Sequence, residues 1–237
     1  MSLSSRLTAA MVILVLLTVA AVGGLTYRAI ETRLLPSELD RVDAHARSLA
    51  SELESYVGGA HADVEAFRSA VALDGLIRAH VAGGTSDGRS EAQWRDWLAR
   101  GFAAELAAKP AYRMFRVIGV ADGGREIVRV DRSGPGGSVR RVAEDELQRK
   151  DDRDYFLRAV GLTAGQVYMS NIDLNRDHGA IEVPHVPVLR VAAPLFTPAN
   201  EPFGIIVVNV DMRPVLSTLR ATAADGRSIF LANERGA

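Results

Sequence analysis

The sequence predicts an α+β fold, with helical segments in the first half of the chain and an antiparallel sheet of about five strands after them. Two patterns support this prediction. Apolar residues recur at helical spacing as far as Pro110, and from Ala111 onward they form strand-like runs separated by glycine-containing turns. The helical part begins with an uncharged segment that is long enough to cross a membrane.

This uncharged, largely apolar segment covers residues 7–27, a run of 21 residues. As a helix rising ~1.5 Å per residue it would be about 31 Å long, close to the ~30 Å hydrocarbon core of a bilayer. The run therefore predicts a transmembrane helix. Thr18-Val19-Ala20 leaves a cleaved signal peptide as the alternative, although the apolar region of a signal peptide is usually about 7–15 residues long.

The orientation of this helix is predicted from the rest of the chain. Arginines flank the run on both sides, so the positive-inside rule does not decide the orientation. The chain has no cysteine, which fits an oxidising or exposed compartment. We expect residues 1–6 to form a cytoplasmic tail, 7–27 to span a bacterial inner membrane, and residue 28 onward to be periplasmic or extracellular.

A long helix is predicted directly after this span, because apolar residues follow a heptad spacing over three repeats. Such a seam either packs on the chain's own domain or forms a parallel homodimer contact, and the spacing fits both. Gly58-Gly59 is expected to interrupt or bend the helix. The residues of the seam are Leu35, Leu39, Val42, Ala46, Leu49, Leu53 and Tyr56.

Two further helices are predicted before the sheet. One carries helically spaced apolar residues between 64 and 77 and ends near Gly83-Gly84. The next begins at Ser90, because Ser90 and Gln93 have the spacing of a capping box, and it ends at Pro110. The tryptophans of this helix are interpreted as core residues.

Strands then alternate with turns and one short helix. Asp122-Gly123-Gly124 is a hairpin signal between two strand-like runs. Asp211 is placed to cap a helix that carries Pro214 in its first turn. A further strand pattern covers residues 228–233. The predicted strands of the main sheet are 112–120, 126–131, 139–143, 166–172, 188–196 and 203–210, with a short helix at 153–160.

The sequence contains none of the common catalytic signatures, such as a nucleophile elbow, a zinc-protease motif or a nucleotide-binding loop. We therefore predict no catalytic activity for this segment. The net charge is −1 and no basic stripe with interleaved aromatics is present, so nucleic acid is not a predicted partner. His178 and His185 bracket Glu182 without the spacing of a metal site, and neither a metal nor a cofactor is expected.

Several polar side chains occur on segments that otherwise have the pattern of a buried sheet. In a covered sheet, such side chains must be solvated, paired or turned toward a cavity. Their partners at the surface would be Glu126, Asp131 and Asp154. Turned toward a cavity, the arginines would suit a carboxylate and the tyrosine would form an aromatic wall. These polar residues are Arg113, Arg116, Arg129, Tyr168, Ser170 and Arg190.

The order of segments resembles the Cache family of extracellular PAS-like sensor domains over residues 28–221. Family members are found on bacterial histidine kinases, diguanylate cyclases and chemoreceptors. The resemblance implies a long helix packed on a PAS-like sheet, an extracytoplasmic ligand-sensing function and an output domain outside this chain. Residues 222–237 resemble the start of a truncated second module. The blocks that carry the resemblance are YRMFRVIGVADGGREIVRVDR, LQRKDDRDYFLRAVGL, PVLRVAAPLF and FGIIVVNVDMRPVL.

The resemblance also implies a ligand-binding site. Amino-acid-binding members carry an Arg-x-Trp-Tyr block on the pocket helix, and the matching positions here are Arg153, Asp154, Tyr155 and Phe156. Because the arginine is retained and the Trp-Tyr pair is not, the expected ligand is a small anion or carboxylate. No aspartate matches the family's pocket acid, and Asp173 is the nearest. The predicted site has Arg153 as its anion anchor, together with Tyr155, Tyr168, Ser170, Asn171, Arg190 and Arg116.

Two other function classes stay open. A membrane-anchored structural or adhesion module would need no pocket, and its polar side chains would pair with one another. A periplasmic enzyme would need a nucleophile or a metal that the sequence does not show. A ligand-sized cavity under the helix that begins at Arg153 would separate a sensor from a structural module.

Overall fold

The computed structural model describes residues 3–30, 35–133 and 137–223. The chain divides into two compact units, Met1–Leu53 and Glu54–Ala237. In the first unit, helix α1 (Leu3–Ala29) contains the segment Ala10–Arg28, which is long and apolar enough to cross a membrane. The helix predicted for residues 7–27 is therefore confirmed, whereas its insertion in a membrane stays a prediction.

Helix α2 (Leu35–Arg68) continues through Gly58-Gly59, so the predicted interruption at these glycines is wrong. A glycine inside a helix costs about 1 kcal/mol relative to alanine. Burial of Val57, Ala60 and Val64 along the same stretch offsets that cost. Near the end of the predicted seam, the Tyr56 hydroxyl donates a hydrogen bond of 2.8 Å to the backbone oxygen of Asp211.

The remaining helices of the second unit surround a β-sheet. The predicted capping box at the start of α4 is present: Ser90 Oγ accepts from the Gln93 amide, and Gln93 Oε1 accepts from the Ser90 amide at 2.8 Å. Asp211 Oδ1 accepts from the amide of Arg213 at 2.9 Å, which confirms the predicted start of the last helix. The helices are α3 (Val71–Val81), α4 (Glu91–Ala108), the single turn α5 (Ala121–Gly124), α6 (Asp154–Val160) and α7 (Arg213–Ala223).

The main sheet is antiparallel and has seven strands in the described residues, where about five were predicted. Its strand order is β5-β4-β3-β11-β10-β6, and β7 also pairs with β10. Six of the seven strands overlap the six ranges listed above. The seventh, β7 (Asp173–Leu174), lies at the edge of the sheet and is too short to show an alternating pattern. The strands are β3 (Tyr112–Gly119), β4 (Glu126–Arg132), β5 (Val139–Arg141), β6 (Tyr168–Met169), β7 (Asp173–Leu174), β10 (Pro187–Phe196) and β11 (Pro202–Asp211).

Two small hairpins lie outside the main sheet. They are β1 (Thr85–Ser86) with β2 (Arg89–Ser90), and β8 (Arg176–Asp177) with β9 (Ala180–Ile181). The sequence patterns predicted neither of them, again because each strand has only two residues. The strand pattern at residues 228–233 and the proposed second module at 222–237 fall almost wholly outside the described residues.

The two faces of the main sheet are covered differently. On one face, helix α4 stacks the buried ring of Phe102 on that of Phe115 in β3, with 4.5 Å between the centroids. On the other face, Arg116, Val207 and Ala192 are successive cross-strand partners, and partners in register share a face. This second face carries the short helix α6 together with buried polar side chains. It is therefore the face on which a polar ligand could be held.

Candidate functional site

A cleft of about 430 Å³ lies at the start of α6, against the edge of the sheet formed by β6, β7 and β10. Six of the seven predicted ligand-binding residues line it. The seventh, Arg116, lies under Tyr155, with its guanidinium carbon 5.4 Å from the ring centroid. The structure brings these residues together, and their contact with a ligand stays a prediction. The lining residues are Asp152, Arg153, Asp154, Tyr155, Tyr168, Ser170, Asn171, Asp173, Arg176 and Arg190.

Arg153 occupies the N-cap position of α6, where its backbone is extended and its side chain makes no capping hydrogen bond. The helix is held on the sheet by Tyr155, Phe156 and Ala159, which pack in one apolar cluster with residues of β3, β10 and β11. This packing places Arg153 at the mouth of the cleft with its side chain half-buried. Within the described part of the chain, its guanidinium has no hydrogen-bond or ion-pair partner. It is therefore available to an anion.

The floor of the cleft is the ring of Tyr155, and two arginines lie against this ring. The guanidinium carbons of Arg116 and Arg190 lie 5.4 Å and 5.1 Å from the centroid of Tyr155, within cation–π distance. Three polar atoms of this group are buried and have no hydrogen-bond partner among the described residues: the Tyr155 hydroxyl and the Nε atoms of both arginines. A buried polar atom without a hydrogen-bond partner lowers stability. The polar groups of a ligand could therefore form favourable hydrogen bonds with these atoms.

Arg116 is otherwise satisfied by a buried ion-pair network. Its Nη1 donates to Glu126 Oε1 at 2.9 Å, and its Nη2 donates to Asn209 Oδ1 at 3.2 Å. Arg129 lies 3.6 Å from the same Glu126 carboxylate and also pairs with Asp131 at 2.8 Å. Burial alone would raise the pKa of Glu126, but the two guanidinium groups outweigh it and lower that pKa. Glu126 therefore pairs inside the protein and not at the surface.

The wall opposite Arg153 is formed by the segment around β6. The Tyr168 hydroxyl donates to Asp154 Oδ2 at 3.4 Å, and burial together with Asp154 raises the pKa of Tyr168. Ser170 Oγ accepts from the amide of Arg190 at 2.9 Å and donates to the carbonyl of Asn171 at 2.7 Å. Ser170 therefore holds the wall in place and has little remaining capacity for a ligand.

The sequence of this site-bearing segment matches a family model. A model described as the sensor domain of bacterial histidine kinases matches residues 91–236, more than half of the chain. The chain belongs to this sensor-domain family. No curated protein is significantly similar to it in sequence.

Solved structures confirm that this sensor domain has a Cache-like fold. The extracellular domain of vpHK1S-Z8, a protein described as a histidine kinase, matches with a TM-score of 0.54 and 20% identity, over 73% of this chain and 61% of its own. A domain of a sensory box/GGDEF family protein from Vibrio parahaemolyticus matches with a TM-score of 0.54 and 21% identity, over 73% of this chain and 64% of its own.

A chemoreceptor domain has the same fold. The ligand-binding domain of Tlp3 from Campylobacter jejuni, in complex with 4-methylisoleucine, matches with a TM-score of 0.57 and 12% identity, over 80% of this chain and 65% of its own. The chain thus spans less than two thirds of the length of these three domains.

Four charged residues that line the sensor domain's cleft were not among the predicted site residues: Asp152, Asp154, Asp173 and Arg176. Of these, Asp173 was named only as the nearest match to the family's pocket acid. Asp152 and Asp154 belong to an acidic run that is typical of a solvated helix start. Arg176 lies on the two-residue strand β8, where no pattern marks it. Of the other polar sheet residues, Arg113 pairs with Glu182 and does not line the cleft. No group of three or more potential metal ligands occurs among the described residues.

Proposed function

We propose that this sensor domain binds a small carboxylate or similar anion in the cleft at the start of α6. The observation that carries the proposal is the half-buried Arg153 guanidinium, which lines the cleft and has no partner among the described residues. Arginine presents planar, paired donors that match a carboxylate, and such charge-assisted bonds are stronger than neutral ones. Arg190 and Tyr155 below it offer further buried donors.

The volume of the cleft supports a small ligand. Ligand pockets in proteins typically measure about 300–1,000 Å³, and this cleft, at about 430 Å³, lies near the lower end. A domain with the same fold holds an amino acid in the Tlp3 chemoreceptor, which supports a carboxylate-bearing ligand here. The formal charges that line the cleft balance, because three aspartates oppose Arg153, Arg176 and Arg190. This balance favours ligands that make directed contacts with the arginines.

The ligand class is tested by thermal shift on the 237-residue chain in detergent, with acetate, succinate, benzoate and L-isoleucine as probes. Each carboxylate is compared with its amide, which has nearly the same shape and lacks the negative charge of the carboxylate. We expect at least one carboxylate to raise the melting temperature and its amide to have little effect, because ligand binding to the native state alone stabilises it. If amides stabilise as well as acids do, or if no carboxylate has an effect, the anion-binding proposal is wrong and a structural module is favoured.

We propose that α1 anchors the domain in a bacterial inner membrane, with residues 1–6 in the cytoplasm and the domain outside. The apolar helix and the membership of a sensor-domain family support this topology. Since the chain has no cysteine, Arg47→Cys, at an exposed position of α2 outside the seam, is a unique label site. A membrane-impermeant maleimide should label it in intact spheroplasts. Labelling only after lysis would contradict the topology, and a mature N-terminus near Ala21 would indicate a signal peptide.

We propose that the seam of α2 is a parallel homodimer contact. Val42 is 49% exposed and Ala46 is also exposed, so the chain itself leaves these seam positions open. Val42→Cys should form disulfide-linked dimers in membranes under mild oxidation. Arg47→Cys is the control, because Arg47 is exposed on the same helix but lies outside the seam. Efficient cross-linking at position 47 and not at position 42 would contradict the proposal.

Signalling would follow from differential affinity. A ligand that binds one arrangement of the domain more tightly shifts the population toward it, and the long helix would carry this shift to the membrane. We propose a histidine kinase or diguanylate cyclase as the output domain, since matching domains come from such proteins. A coding sequence that continues past Ala237 and encodes neither domain would contradict this assignment.

A further inference from the structure

One ion pair in the cleft joins a buried arginine to an exposed aspartate. The Arg190 side chain is only 2% exposed and bonds through Nη1 to Asp173, whose side chain is 54% exposed. Asp173 is the sole carboxylate that pairs with Arg190 among the described residues. Both residues line the cleft. The carboxylate of Asp173 thus stands where the charged group of an anionic ligand would meet Arg190.

The two partners differ in how easily they can leave this pair. Arg190 lies on the central part of β10, with its guanidinium against the Tyr155 ring. Asp173 lies on β7, a two-residue edge strand that pairs with Pro187 and Val188 of β10. An exposed carboxylate that leaves the pair is solvated by water, whereas a buried guanidinium is not. It therefore costs less free energy to move Asp173 away from the pair than to move Arg190, and Arg190 can change partner in this way.

The surroundings of Arg190 favour its having an anionic partner at all times. Arg116 lies within cation–π distance of the same tyrosine ring, so two positive charges meet within one buried group. Burial lowers the pKa of Arg190, the Asp173 carboxylate opposes that effect, and Arg116 adds to it. Arg190 also keeps one buried donor, Nε, that has no partner in the described part of the chain even when Asp173 is bound. The Asp173 contact thus uses only some of the hydrogen-bond donors of the Arg190 guanidinium.

We propose that Asp173 is an internal competitor for the anion-binding position at Arg190, which a ligand carboxylate must displace. This inference rests on the proposed function, because it concerns the same cleft and an anionic ligand. Asp173 then sets a threshold for selectivity. A simple anion that contacts only Arg190 competes poorly with the tethered aspartate, whereas a ligand that also contacts Arg153 gains enough to displace it.

The test is Asp173→Asn, which removes the competing charge and keeps the shape and a hydrogen-bond acceptor. We expect succinate to bind the Asp173→Asn variant about tenfold more tightly than the unchanged chain, as measured by isothermal titration calorimetry. This factor lies between the small effect of an exposed ion pair and the larger effect of a buried one. Asp152→Asn is the matched control. Asp152 lines the same cleft with the same charge, but it has no ion-pair partner among the described residues, so its effect should be clearly smaller.

Three outcomes would overturn the inference. Equal tightening by Asp173→Asn and Asp152→Asn would show a general charge effect. Weaker binding by Asp173→Asn would show that Asp173 contacts the ligand directly. If acetate, succinate and inorganic phosphate at millimolar concentration all fail to stabilise the Asp173→Asn variant, Arg190 is not an anion site. The proposed function is judged separately, since carboxylate binding by the unchanged chain stands whatever Asp173→Asn does.

Discussion

Arg153→Ala should weaken binding of a carboxylate to the sensor domain by about 30-fold or more. Loss of one charge-assisted contact in a partly buried site typically costs ~2–5 kcal/mol of binding free energy. Arg153 lines the cleft and has no partner within the described residues, so its removal breaks no internal ion pair. The melting temperature without ligand and the far-UV circular dichroism should therefore stay close to those of the unchanged chain, while ligand-induced stabilisation is lost.

Arg158→Ala is the matched control for this experiment. Arg158 lies on the same short helix, is exposed, and pairs with Asp154 at 2.8 Å, but it does not line the cleft. Its loss should leave carboxylate affinity nearly unchanged. If a carboxylate that stabilises the unchanged chain stabilises the Arg153→Ala variant to the same extent, Arg153 is a surface residue and the proposed site is wrong.

Glu126→Ala should lower the free energy of unfolding by about 3–5 kcal/mol, which is typical when one partner of a buried ion pair is removed. The Glu126 side chain is fully buried, accepts from Arg116 at 2.9 Å and lies 3.6 Å from Arg129. Its Oε2 also accepts from the amide of Gln148 at 3.1 Å. Removing it leaves two buried guanidinium groups short of a partner. Urea unfolding followed by circular dichroism would measure the change.

The effect of this carboxylate should depend on pH. The two arginines hold the folded-state pKa of Glu126 below its ordinary value of 4.5, although burial opposes them. Its contribution to stability is therefore complete above pH 4.5 and is lost as the pH falls through the lowered pKa. The difference between the unchanged chain and Glu126→Ala should shrink accordingly in acid.

Glu146→Ala provides the comparison for Glu126. Glu146 also forms an ion pair with an arginine, Arg140, at 2.9 Å, but both side chains are exposed. Exposed ion pairs contribute little to stability, so this variant should unfold nearly as the unchanged chain does. If Glu126→Ala and Glu146→Ala have equal effects, the buried network around Glu126 does not stabilise the fold.

The sequence by itself determined the features that depend on local patterns. The length and apolar composition of residues 7–27 specify a helix, and the Ser90 and Gln93 spacing specifies how α4 begins. The long strands β10 and β11 follow from largely apolar runs in the segments 188–196 and 203–210, each of which contains one polar side chain. These signals are local because helix and strand periodicity is set by the backbone, within a few residues.

The sequence predicted most of the residues that belong to the candidate cleft but not how they are arranged in it. Resemblance and residue type together selected Arg153, Tyr155, Tyr168 and Arg190, and the structure places all four around one cleft. Whether they bind a ligand stays a prediction. The helix interruption predicted at Gly58-Gly59 is absent. The low helix propensity of glycine is outweighed by packing of the same helix on the core.

Only the tertiary structure decided which charges meet. Arg116 and Arg190 look alike in the sequence, since each is an arginine within an apolar strand, yet one is bonded to the buried Glu126 and the other to the exposed Asp173. That difference arises from the register of β3 with β4 and from the short edge strand that carries Asp173. An ion pair depends on distance in space, which strand order and register set, and no local sequence pattern records it.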